Sequence, residues 1–223
     1  MKKLIAAVLL ASVATGAIAA DLPSRKTAPA AVPVYAPPAF SWTGFYVGVN
    51  GAYGWGNFRG NGGNLFANPS GGLVGGTAGF NYQIGQFVVG VEDNLDWADL
   101  TNSRTFVGGA STKSRVNAFN TAFVRGGFAI DRALLFVEGG LASGDIHNKI
   151  TDPALPGTLS QSGWHSGYGL GGGLEYAFTN NITARADYVF SHLQNTTYFA
   201  GTIDQAKAGL NVSQIRGGLN YKF

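Results

Sequence analysis

An all-β fold, a single eight-stranded antiparallel up-and-down barrel, is what this sequence predicts. Three observations predict it. Apolar residues recur with a period of two, the connections between these runs alternate short and long, and charged residues keep to one face of the runs. A period of two marks strands with two unlike faces. Phe45, Val47, Val49, Gly51, Tyr53 and Trp55 share one face of the first run; Tyr46, Gly48, Asn50, Ala52 and Gly54 share the other. The alternation returns over 74–82, 87–91, 124–130, 135–141, 168–178, 182–190 and 215–223. Parity also places Asp93 and Asn120 on the apolar face, so a bulge or an interfacial position is expected near each.

The connections come next. Short polar turns are expected near Ile84-Gly85, Asp131-Arg132 and Thr179 to Asn181, and long Gly/Asn/Ser/Thr-rich loops over 56–71, 98–114, 144–163 and 191–209. Short turns at one end and long loops at the other describe a transmembrane barrel of the outer-membrane type. A water-soluble eight-stranded barrel shares the strand count but keeps its apolar residues inside. The charges separate the two cases. Glu92, Arg125, Glu138, Glu175, Arg185, Asp187 and Arg216 all share the face that bears Gly and Ala. On a lipid face each charge would cost about 2–4 kcal/mol at mid-bilayer; in a lumen they can pair.

The turn lengths set a register. A two-residue turn at Asp131-Arg132 puts Arg125 opposite Glu138, and a three-residue turn at Thr179 to Asn181 puts Glu175 opposite Arg185. These four residues form the expected lumen charge pairs. They could gate ions or fill space. An eight-stranded lumen is only wide enough for side chains, so filling is expected. Trp55, Trp97 and Trp164 near the long-loop ends, and Tyr82, Phe87, Phe178, Tyr221 and Phe223 near the short-turn ends, give the two aromatic girdles of a membrane protein.

The amino-terminal region reads as export machinery. Lys2 and Lys3, an apolar run over 4–14 and Ala17-Ile18-Ala19 make residues 1–20 a signal peptide, cut after Ala19 or Ala20. Residues 21–40 are a Pro-rich periplasmic tether, with five of the eight prolines lying within 20–40. Residues 41–223 are the barrel. Without Lys2 and Lys3, 13 basic residues face 12 acidic ones, with no basic run of the kind nucleic acid requires. With no cysteine, disulfides and thiolate metal sites are excluded, and no metal or cofactor is expected.

Several motifs in order resemble a known family. They are Ala20-Asp21, then Trp42-Thr43-Gly44-Phe45-Tyr46-Val47-Gly48, then Asp131-Arg132-Ala133-Leu134. Gly173-Leu174-Glu175-Tyr176-Ala177 and the closing Arg216-Gly217-Gly218-Leu219-Asn220-Tyr221-Lys222-Phe223 complete the set. Over nearly its whole length the chain resembles the small outer-membrane β-barrels of alphaproteobacteria, the outer-membrane immunogenic or porin-family proteins of the Brucella and rhizobial type. The resemblance implies that Ile215, Leu219, Tyr221 and Phe223 form the signal read by the barrel-assembly machinery, with nothing folded behind Phe223. It also implies attachment of the Ala20 α-amine, next to Asp21, to peptidoglycan.

Function is less legible than place. A structural, surface-exposed envelope protein is expected, a monomer in contact with outer-membrane lipid and lipopolysaccharide. The alternative is a low-conductance porin or a barrel binding haem or another small ligand. Some relatives bind haem, and His147, His165 and His192 lie at loop ends, but alternation points His147 and His192 outward and His165 inward. The stretch at His192 is similar to the His-x-Ser-Asn of lipid A deacylase barrels, yet Gln194 stands at the nucleophile position and has no hydroxyl to activate. No enzyme is expected.

Overall fold

A computed structural model describes residues 40–60, 66–151, 153, 158–198 and 206–223. Eight strands, β1 (Gly44–Arg59), β2 (Ser70–Ile84), β3 (Phe87–Thr105), β4 (Ser111–Ile130), β5 (Ala133–Thr151), β6 (Thr158–Ala177), β7 (Ile182–Tyr198) and β8 (Ala206–Lys222), pair in sequence order. β8 returns to β1 and closes the ring, every pair antiparallel. Closure leaves no unpaired edge, the condition for strands in hydrocarbon, where water cannot satisfy backbone groups.

The short turns are tight. Gly85-Gln86 joins β2 to β3 and Asp131-Arg132 joins β4 to β5. Gly85 (φ 62°) and Asp131 (φ 51°) supply the positive φ that such two-residue hairpins require. Between β6 and β7 the Thr179 hydroxyl accepts from the backbone N–H of Asn181 (3.2 Å) and Ile182 (2.9 Å). The registers expected from these turns hold, with Arg125 opposite Glu138 and Glu175 opposite Arg185.

The long connections differ from expectation. Most of 98–114 and 144–163 is strand: β3 runs to Thr105 before β4 starts at Ser111, and β5 runs to Thr151 before β6 starts at Thr158. The outward face of these extensions meets water, so its apolar alternation stops. The inward face does not change solvent, and Leu100, Val116 and Ile146 remain buried there. Pairing continues because the lumen side still has something to bury.

Asp93 and Asn120 also depart from expectation. Bulges lie between Trp97 and Leu100 and between Val116 and Ala118, loopward of both residues. Asp93 therefore stays on the outer face between Val91 and Leu95. Asn120 Nδ2 donates to Asp93 Oδ1 at 3.2 Å and to the Asn94 carbonyl at 3.0 Å. The two polar residues serve each other instead of moving to an interface.

Candidate functional site

The inward residues stack in three layers. At the loop end, Phe58, Phe66, Leu73, Leu100, Val116, Phe119, Ile146, Leu193, Leu210 and Val212 form one buried apolar cluster. At the turn end, Val88, Ala129, Leu134, Phe136 and Ala177 form a second around Trp42, which is 1% exposed. Phe40 packs edge-on against Trp42 at 5.0 Å, beneath Arg132 and Lys222. Trp42 is held by its backbone N–H, which donates to Gln83 Oε1 at 2.7 Å, and the Thr43 hydroxyl accepts from the Gln83 N–H at 2.9 Å.

The middle layer is ionic. Arg125 donates to Glu92 (3.2 Å) and Glu175 (2.9 Å), Arg185 to Glu92 (2.6 Å) and Asp187 (2.9 Å), and Arg216 to Asp187 (2.6 Å) and Glu138 (2.5 Å). Each guanidinium joins two carboxylates, so the pairs run into one mesh. The Tyr46 hydroxyl donates to Glu92 Oε2 at 2.7 Å and accepts from Arg125 Nη1 at 3.1 Å. It lies over Gly79, where a Cβ would sit 2.3 Å from that oxygen. Thr183 and Asn220 both donate to Glu175 Oε1, at 2.5 and 2.9 Å. The Arg125 guanidinium stacks on Phe136 at 4.0 Å, tying the mesh to the turn-end cluster.

The expected charge pairs need correcting. Arg125 faces Glu138 in register but bonds Glu92 and Glu175. Arg185 faces Glu175 but bonds Glu92 and Asp187, with Glu138 at 3.8 Å. Cross-strand pairing assumes an open sheet. In a narrow closed barrel a guanidinium reaches past the residue it faces: Arg125 takes Glu92 diagonally on β3 and Glu175 two strands away on β6, while Arg185 takes Glu92 across the lumen on β3 and Asp187 on its own strand. Sequence reasoning passed over Tyr46, although its inward parity beside Gly79 was a usable signal.

The three histidines do not converge. His147 bonds Asp145 at 2.9 Å on the outer face, and His192 stacks on Tyr168 at 4.9 Å while meeting Arg59. His165 is buried and meets the Thr196 hydroxyl at 2.9 Å. Among the described residues no cluster of three or more metal-ligating side chains occurs. Ile215, Leu219, Tyr221 and Phe223 all point outward and exposed. Ala20 and Asp21 lie outside the described residues.

A closed barrel with a filled lumen, an apolar outer band and aromatic girdles now has a match. The family model described as the outer membrane protein beta-barrel domain fits residues 5–223. The chain belongs to the outer membrane β-barrel family. It is 33% identical to the 31 kDa outer-membrane immunogenic protein of Brucella melitensis biotype 1 over 250 residues, 100% of each chain. It is 34% identical to the 22 kDa outer membrane protein of Rhizobium leguminosarum bv. viciae, over 83% of this chain and 80% of that one. The 25 kDa outer-membrane immunogenic protein of Brucella canis is 31% identical, over 99% of this chain and 96% of the relative. Among solved structures, the fold is similar to Neisserial surface protein A, at 16% identity and a TM-score of 0.45, covering 81% of this chain and 98% of that one. As a member of this family the protein resides in the bacterial outer membrane.

Proposed function

We propose that this outer-membrane β-barrel protein is a closed, surface-exposed structural barrel that contributes to envelope integrity. The observation that carries the reading is the filled lumen. Two apolar clusters enclose a layer in which each of three arginines is bound by two carboxylates. Conduction would require displacing buried Phe119, Leu193 and Leu210 at one end and Trp42 at the other, side chains that hydrophobic burial holds in place. The reading as a low-conductance porin finds no support in this arrangement. The haem reading finds none in three histidines with separate partners. Planar-bilayer recording of the refolded chain tests the proposal: silence is expected, and steady unitary currents would overturn it.

The second part of the proposal concerns the amino terminus. Cleavage after Ala19 removes residues 1–19, and the Pro-rich tether ahead of Phe40 joins the barrel to peptidoglycan through the α-amine of Ala20, next to Asp21. The resemblance to wall-linked barrels supports this. Mass spectrometry of muropeptide digests should find a stem peptide on Ala20; a free amine on all of the protein would end this part and leave the closed barrel standing. The outward Ile215, Leu219, Tyr221 and Phe223 are proposed as the assembly signal. Deleting Phe223 should lower the amount of folded barrel in the outer membrane.

A further inference from the structure

Loopward of the outer girdle, the water-facing side of β3 to β6 carries two successive cross-strand rows with the same order of side chains. One row is Thr101, Arg115, His147 and Ser162; the next is Ser103, Lys113, Lys149 and Ser160. Each reads hydroxyl, basic group, basic group, hydroxyl. Lys113, Arg115 and Lys149 are exposed, while Thr112, Ser114, Val116 and Asn148 between them are buried, so the basic groups share the outward face.

This arrangement costs the barrel something by itself. Lys113 stands directly opposite Lys149, and like charges in that position are destabilising. Asp99 meets Arg115 at 3.0 Å and Asp145 meets His147 at 2.9 Å, but among the described residues neither lysine forms an ion pair. An anion bound between them would remove the conflict, with the flanking serines and threonine offering further donors.

The height of the patch selects the anion. Trp97 and Trp164 flank one row below it, in the order Trp97, Ala118, Asp145, Trp164. At about 3.3 Å per residue along strands tilted about 40°, His147 stands roughly 5 Å and Lys149 roughly 10 Å above that row. Headgroups occupy about 5–8 Å on each side of the hydrocarbon, and lysine stems bend back toward them. A soluble polyanion would not require cations placed at this level.

We propose that these two rows bind the phosphate groups of outer-leaflet lipid, namely the phosphorylated lipid A of lipopolysaccharide. The site rests on the outer-membrane placement of the barrel and is independent of wall attachment. The full chain, refolded in neutral detergent, is titrated with bis-phosphorylated lipid A and with its dephosphorylated form, and binding is read by native mass spectrometry. The phosphorylated form should bind and the dephosphorylated form should not. Each lysine is expected to contribute about fivefold, so Lys113→Gln with Lys149→Gln should weaken binding roughly 25-fold. Lys113→Glu separates binding from folding: it creates an opposite-charge pair with Lys149, so the folded gel mobility persists while lipid A binding is lost. Lys207→Gln, on β8, should change nothing. Equal binding of both lipid forms, undiminished binding by Lys113→Glu, or tighter binding of a soluble sulfated oligosaccharide than of lipid A would overturn the proposal.

Discussion

The inner and outer faces of the same strands, compared at mid-membrane height, solve opposite problems. Inside, four carboxylates and three guanidiniums are buried and bonded to one another; outside, the same stretch shows Val91, Val124, Val137 and Leu170, exposed to hydrocarbon. Charge is tolerated inside because every arginine has two partners within reach. The outer face has no such partners, and its one acid in the band, Asp93, is served by Asn120 alone. The lesson is that burial by itself does not decide whether a charge is costly; the number of opposite groups that can reach it does.

Four substitutions break or sharpen this comparison, each measured as the shift in urea-unfolding free energy of the barrel refolded in vesicles. Arg185→Leu has the largest expected effect. It strips Glu92 of a 2.6 Å partner and Asp187 of a 2.9 Å one, and should cost about 3–5 kcal/mol, the range for removing one member of a buried pair. A loss below 1 kcal/mol would mean that the mesh does not hold the lumen. Val137→Arg puts the same cation on the outer face and should cost about 2–4 kcal/mol.

Asn120→Leu comes third. It leaves the Asp93 carboxylate and the Asn94 carbonyl without their shared donor, with an expected loss of about 1–3 kcal/mol. The same change made together with Asp93→Leu should recover most of it, since an apolar pair suits that face. Asp99→Ala is last, because its bond to Arg115 is exposed to water, and it should cost less than about 1 kcal/mol and vanish in high salt.

Much of this was legible from single residues. Asp131 and Arg132 between two alternating runs dictate a two-residue hairpin, and the hairpin dictates that Arg125 faces Glu138. The charge parity of Glu92, Glu175 and Arg216 decides which face is the lumen. Strand ends were less legible. Thr101, Ser103, Ser160 and Ser162 look like loop residues when only the outward pattern is read, since water removes the apolar signal there. Their buried neighbours Leu100 and Val116 carried the better evidence for continuing strands.

By itself, the sequence determined the topology, the face that meets lipid and the register of the hairpins, because all three follow from local periodicity and turn length. Only the tertiary structure decided which charges touch, why Trp42 and Phe40 belong to the barrel mouth, and that the lumen is filled by apolar groups at both ends. The physical reason is closure. Bending eight strands into a ring brings β3 and β7 within a side chain's length, so Arg185 chooses Glu92, 93 residues away, over its cross-strand neighbour Glu175. That choice depends on curvature, which no pattern of two along a strand can encode.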